Sequence, residues 1–260
     1  MSTIKALIFD LDGTMADTEE THRQAFNAAF LEHALWWDWS RHQYQDLLQI
    51  SGGKERIAVY IDSLKVAADE KARLRGLVPM IHGTKTRIFN ELIADGRAAL
   101  RTGVKRLVRE ARDAGVKLAI ASTTAADNVS ALIRGQLGAE GYRLFDAIAS
   151  GDLVAHKKPA PDIYVLALGM LGLSADECVA FEDSVNGLAA AKAAGLYTVV
   201  TPNFWSMAND FADADLLLHD LGDPGQPFDE GTASIVGAPC LGLAQLEQLH
   251  AAALQRRAAA

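Results

Sequence analysis

Apolar positions gather in four short runs, IKALIF (4–9), VKLAIAS (116–122), CVAFED (178–183) and YTVVT (197–201), each bounded by glycine or acidic residues. They are of strand length and do not alternate with polar residues, the signature of strands buried on both faces of a parallel sheet. Between the later runs the spacing turns helical. Val104, Leu107, Val108 and Ala111 fall on one helix face, with Gly115 at the stop position. Val185, Leu188 and Ala189 repeat that spacing, with Gly195 as the stop. Ile163, Val165, Leu166 and Leu168 belong to a further helix entered through KKPAPD, whose prolines suit a first turn. Strand–helix alternation of this kind predicts an α/β, doubly wound parallel sheet.

Residues 17–98 break the rhythm and read as consecutive helices: TEETHRQAFNAAFLEH, SRHQYQDLLQI, KERIAVYIDSL, an ADEKARLRGLV stretch and TKTRIFNELIAD. A helical block inserted after the first strand is expected to form a small domain of its own. Trp36, Trp37 and Trp39 sit in its first inter-helix turn and read as core filler, with aromatic substrate contact as the other reading. After Leu221 the stretch GDPGQPFDEGTASIVGAP reads as loop, followed by a LAQLEQLHAAALQRR helix whose alanine-rich end is expected to fray. No internal repeat is visible.

Composition narrows the partners. A formal net charge of −8 disfavours nucleic acid, since a phosphate backbone needs a basic footprint. A small anionic substrate stays open, because screening confines the global field to about 8–10 Å and a few local cations suffice. No apolar run reaches the roughly 18 residues of a membrane span, so no membrane partner is expected. Two cysteines, Cys178 and Cys240, lie far apart without metal-ligand spacing and read as reduced thiols, which points to the cytoplasm, with Cys178 as core packing. The oligomeric state is open, a monomer included.

The chemistry sits at the ends of the apolar runs, where parallel sheets bind ligands. Asp10 and Asp12 follow the first run, Ser122 ends the second, Glu182 and Asp183 end the third, and Lys158 lies on a connection before a helix. Several carboxylates in one crevice repel unless a cation is present, and an oxygen-rich set suits Mg²⁺. One carboxylate can attack phosphorus and a second, two residues on, can handle the leaving-group and water protons. Ser122 and Lys158 are placed to hold non-bridging oxygens.

DLDGT at 10–14, the run ending in Ser122, Lys158 with its following proline, and Glu182–Asp183 together resemble the four motifs of the haloacid dehalogenase-like hydrolases, in order across residues 4–201. The resemblance implies a Rossmann-like core with Asp10 as nucleophile and Asp12 as acid/base. It implies Mg²⁺ held by Asp10, the main-chain carbonyl of Asp12 and Asp183, with Glu182 in support. The insertion resembles the helical cap of the β-phosphoglucomutase-like subgroup, giving a catalytic core of 1–16 and 99–260 and a cap of 17–98. Asp12 separates the chain from the dehalogenase branch, whose halide leaving group needs no proton.

Within the inserted block, GGKER (52–56) and HGTKT (82–86) supply the cations an anionic substrate requires. Gly52 and Gly53 permit close backbone approach to a phosphate, with Lys54, Lys85 and Arg56 as charge partners. The competing reading is a pair of helix starts with solvated bases. TEETHR, WWDW, Tyr44 ahead of Leu47–Leu48, GGKERI and HxxKT are similar to the phosphatase branch that acts on xylulose-1,5-bisphosphate. That resemblance implies sugar contacts by Glu19, His22 and Tyr44, a distal phosphate on Lys54, Arg56 and Lys85, and Thr123 beside Ser122 in the substrate set. A helix-surface residue near the hinge is the other reading of His22. Met15 and Thr102 depart from the usual leucine and proline at packing level, Thr102 being a candidate for loosening the hinge. A sugar-phosphate mutase shares the four core motifs and stays open, as do a phosphatase for another sugar phosphate and a non-catalytic binder on a hydrolase scaffold.

Overall fold

The computed structural model describes residues 4–259, so the outermost residues of the expected core range, including the last of the tail expected to fray, lie outside it. Six strands form one parallel sheet: β1 (Ala6–Phe9), β2 (Lys117–Ala121), β3 (Ala147–Ala149), β4 (Cys178–Glu182), β5 (Tyr197–Val200) and β6 (Leu216–Leu217). Their order is β3-β2-β1-β4-β5-β6, with a topological switch between β1 and β4. β1 is buried along its length because parallel neighbours flank it on both sides, Phe9 standing opposite Ile120 of β2 and Phe181 of β4. The Phe9 and Phe181 rings stack with centroids 4.4 Å apart. Alternate β1 side chains face opposite layers. Leu7 and Phe9 enter the larger core, whereas Ala6 and Ile8 pack with Ile163, Tyr164 and Ala190.

Between β1 and β2 run α1 (Glu19–Glu32), α2 (Arg41–Leu47), α3 (Gly53–Ser63), α4 (Ala68–Ala94) and α5 (Val104–Asp113). The rest of the helices are α6 (Ala126–Leu137), α7 (Asp162–Leu171), α8 (Val185–Ala193), α9 (Glu230–Val236) and α10 (Leu243–Ala259). The doubly wound parallel sheet is as expected. Two chain segments connect the inserted helices to the sheet, and they pair with each other: Asp17 N–H donates to Ala99 O at 3.3 Å and Arg101 N–H to Met15 O at 2.9 Å.

Several local expectations are corrected. ADEKARLRGLV and TKTRIFNELIAD are one helix, α4, with Pro79 inside it. A buried stripe of Leu74, Val78, Ile81, Lys85, Ile88 and Phe89 crosses the proline unbroken, and packing on α1 outweighs the one lost backbone bond. On α8 the buried face is Gly187, Leu188, Ala190 and Ala191, while Val185 and Ala189 are exposed. Trp36 is 88% exposed and fills no core, whereas Trp39 is fully buried against Phe26 and Phe30. The tail is not all loop: Asp229 caps α9 by accepting from Thr232 N–H at 3.0 Å, and Gly237 stops it at φ +78°. α10 continues to Ala259. Met15 and Cys178 are buried packing residues, and Thr102 donates to Gln226 at 3.3 Å. Among the described residues no helix is long and apolar enough to cross a membrane.

Candidate active site

Because β1, β2 and β4 lie side by side in register, their C-terminal ends bring Asp10, Ser122, Glu182 and Asp183 to one crevice. Asp10, Glu182 and Asp183 are all buried and each offers an oxygen within 4.8 Å of the others. Lys158 Nζ reaches into the trio, donating to Asp10 Oδ1 at 2.6 Å, Glu182 Oε1 at 2.5 Å and Ala121 O at 2.9 Å. Burial alone would strip its proton, but the two carboxylates hold its pKa above the ordinary lysine value.

The three acids are not equivalent. Glu182 is saturated by protein: Tyr164 Oη also donates to Oε1 at 2.5 Å, and Asp183 N–H and Ser184 Oγ approach Oε2 at 3.3 and 3.4 Å. The first turn of α8 closes over it, so a Cβ on Gly187 would lie 1.9 Å from its Oε2. Asp183 accepts from Asn203 Nδ2 at 2.7 Å and Thr14 Oγ1 at 3.3 Å. Asp10 Oδ2 accepts no hydrogen bond from the described residues, and Asp10 lines the cleft. Burial, only partly offset by Lys158, raises the Asp10 carboxyl to about 7, and burial with Asp10 and Glu182 nearby raises Asp183 as well. Three buried carboxylates against one lysine leave an uncompensated negative pocket of hard oxygens, a donor set that fits Mg²⁺.

Asp12 belongs to a different network. Its Oδ1 accepts from Thr18 Oγ1 at 2.7 Å and lies 2.9 Å from His22 Nε2. Burial pushes Asp12 up, yet His22 and Thr18 bring it down to about 2. Burial and the neighbouring Lys85 hold His22 itself below its ordinary value, so at neutral pH its grip on Asp12 is an Nε2–H hydrogen bond rather than an ion pair. Lys85 Nζ stands 2.6 Å from His22 Nδ1, and burial lowers its pKa to about 7. His22 is thus no surface residue: it is 6% exposed and stacks on Phe89 at 4.0 Å.

One cleft is lined by Asp10, Asp12, Glu19, His22, Gly52, Gly53, Lys54, Arg56, Lys85, Ser122, Thr123, Lys158 and Asp183. Tyr44 and Glu182 stand behind its walls. Tyr44 Oη donates to Glu19 at 2.8 Å, and Arg56 donates to Tyr44 Oη at 3.0 Å and to the carbonyls of Leu47 and Ile50. GGKER does open a helix, α3, but HGTKT lies inside α4 and its Lys85 is only 4% exposed, so the pair of solvated helix starts is excluded. Gly52, at φ +98°, and Gly53 admit Glu55 and His82: a Cβ would meet Glu55 Oε2 at 2.1 Å in one case and His82 Nε2 at 2.6 Å in the other.

Other site residues had escaped the sequence reading. Asn203 and Trp205 follow β5, whose apolar run ends on no charged residue, and Trp205 lines the cleft with its ring edge-to-face with that of Tyr44 at 5.5 Å. Lys157 pairs with Glu55 of α3 at 2.9 Å, and Asn186 donates to Gln49 O at 2.9 Å. These contacts hold the inserted helices against the mouth of the sheet. Trp36, Trp37 and Trp39 do not line the cleft.

A carboxylate trio with a buried lysine at the switch point of a parallel sheet, roofed by helices inserted after β1, defines a hydrolase class. The model of the haloacid dehalogenase-like hydrolases matches residues 4–195, and the chain belongs to that family. It is an enzyme, a phosphoric monoester hydrolase. It is 46% identical over 227 residues to protein CbbY (plasmid) of Cupriavidus necator, covering 87% of this chain and 89% of that one. The solved structure of CbbY from Rhodobacter sphaeroides in complex with phosphate is 47% identical with a TM-score of 0.77, covering 84% of this chain and 94% of that one. The D10N mutant of the same protein, in complex with xylulose-(1,5)bisphosphate, is 46% identical with a TM-score of 0.77 over the same shares.

Proposed function

We propose that the protein hydrolyses xylulose-1,5-bisphosphate to xylulose 5-phosphate and inorganic phosphate, in the cytoplasm. The observation that carries the substrate is the xylulose-(1,5)bisphosphate complex of the 46% identical CbbY mutant. Asp10 Oδ2, the trio oxygen without a protein donor, attacks phosphorus while the bond to the sugar oxygen breaks. Asp12 gives its proton to that oxygen. His22 and Thr18 hold Asp12 ionised at rest, so the proton it gives is one it has taken from solvent as the substrate's negative charge arrives beside it. Asp12 then takes a proton from water as the water attacks the aspartyl-phosphate, freeing phosphate and Asp10.

Ser122 and Lys158 hold the transferring oxygens. Asp10, Asp183 and the main-chain carbonyl of Asp12, backed by Glu182, would hold Mg²⁺, which when bound neutralises the phosphoryl group and its attacker. The inserted helices act as a cap over 17–98. Within it Glu19, His22 and Tyr44 address the sugar, Lys54, Arg56 and Lys85 the distal phosphate, and Gly52, Gly53 and Thr123 shape its approach.

A panel of sugar mono- and bisphosphates, with phosphate release and isomer formation followed together, tests the substrate. A strong preference for the five-carbon ketose bisphosphate with stoichiometric phosphate is expected; equal rates on hexose monophosphates, or isomer without phosphate, defeat the proposal. Asp12→Asn should slow sugar-phosphate hydrolysis by about 10²–10⁴-fold but p-nitrophenyl phosphate far less in its first step, because nitrophenolate departs without a proton. Equal losses on both, in single-turnover measurements, would deny Asp12 the acid role.

A further inference from the structure

Arg101 stands at the end of the second connecting segment, outside the cleft, with its side chain 8% exposed. Its guanidinium is spent on four backbone carbonyls and the Thr201 hydroxyl. Nη1 donates to Gly13 O at 2.7 Å and to both Thr201 O and Thr201 Oγ1, while Nη2 donates to Pro202 O at 2.9 Å and His219 O at 2.8 Å. Nε stands 3.7 Å from Asp17 Oδ1, on the first connecting segment.

Three of the four carbonyls it gathers belong to the two loops that hold the reacting groups, and the fourth, His219 O, lies just after β6. Gly13, at φ +85°, follows Asp12 and is pressed so close to the acidic trio that a Cβ would fall 2.3 Å from Asp183 Oδ2 and 2.5 Å from Asn203 Nδ2. Thr201 and Pro202 lead directly into Asn203, whose amide orients Asp183. The spacing between Asp12 and Asp183 therefore depends on the distance between two loops, and one planar fork ties both. The ion pair to Asp17 and the bond from Arg101 N–H to Met15 O extend the same clamp to both connecting segments.

We propose that Arg101 is a positioning residue that locks the loop of Asp10 and Asp12 to the loop of Asn203 and anchors the core side of the hinge, so that the inserted helices move without displacing the carboxylates. Lysine cannot substitute, because a single ammonium lacks a planar fork aimed at separate carbonyls. The kinetic part rests on the phosphatase activity proposed above.

The test compares Arg101→Ala and Arg101→Lys with wild type, using p-nitrophenyl phosphate with Mg²⁺ and, independently, hydrogen exchange of the 11–17 segment. Both variants should lose about 100-fold in kcat, the cost of roughly 1 Å of misplacement, with KM changing far less. Exchange at Met15 and Ala16 should accelerate in both. Guanidinium at tens of millimolar, but not NaCl at equal ionic strength, should restore at least about a tenth of the lost kcat to the alanine variant by refilling the fork. Wild-type kcat with unchanged exchange, full rescue by lysine, or a loss that tracks unfolding by circular dichroism without guanidinium rescue overturns the assignment. A wild-type protein that hydrolyses no phosphate ester sinks the phosphatase proposal instead, and the exchange comparison then decides the role of Arg101 alone.

Discussion

Asp10→Asn abolishes turnover, by on the order of 10⁴-fold or more, the scale of loss when a covalent nucleophile is removed. The fold survives, for a reason visible in the site. Lys158 keeps Glu182 Oε1 and Ala121 O as partners, so no buried ammonium is stranded. The substitution also removes one of three clustered carboxylates, in which burial first and mutual repulsion second raise Asp10 and Asp183. Without divalent ions the variant should therefore melt at or above the wild-type temperature while releasing no phosphate. Retained turnover would place the nucleophile elsewhere, and a melting temperature lowered by many degrees would make Asp10 a structural residue.

Chelation by EDTA should silence the enzyme and expose a second effect, on stability. Asp10 titrates near 7 in the folded, ion-free protein and Asp183 is also raised, whereas both are ordinary carboxyls in the unfolded chain. The native state then binds more protons than the unfolded one between about pH 4 and pH 7, so stability is lost as pH rises through that window. In EDTA the melting temperature should fall from about pH 5 to about pH 8. Millimolar Mg²⁺ at about a hundred times its dissociation constant adds about 2.7 kcal/mol, or roughly 5–10 °C for a chain of this size. That gain should be largest at the alkaline end, where protons no longer compete. A melting temperature indifferent to Mg²⁺ near pH 8 would remove the trio as a metal site.

The sheet and its acidic ends were legible because parallel strands concentrate apolar residues and end on what they present. IKALIF and CVAFED are continuous and terminate in Asp10 and Glu182–Asp183. β3 and β6 were not, since AIA and LL are too short to carry a period. Asn203, Trp205 and Arg101 lie on irregular segments, where nothing periodic marks a side chain that acts through backbone carbonyls or a neighbour's carboxylate. His22 and Lys85 were seen as polar residues with surface alternatives, yet the aromatic faces of Phe26 and Phe89 bury them together. Pro79 and Gly83 punctuate α4 in sequence but not in space, because the apolar stripe continues beneath them. Val185 falls on the exposed side of α8, against the expected face, because the NGLAAAKA stretch after it offers small residues on every face.

The fusion of two apparent helices into α4 has a mechanical consequence. A 27-residue rod spans about 40 Å, and its C-terminal end rests on α6 beside the second connecting segment. Tilting such a lever by roughly ten degrees about that fulcrum sweeps its far tip through ~7 Å, with displacement growing in proportion to distance from the pivot. In such a tilt Lys85, about 14 Å from that end, would travel roughly 2 Å and His82 roughly 3 Å, so displacement along the rod is graded and largest at the tip farthest from the sheet.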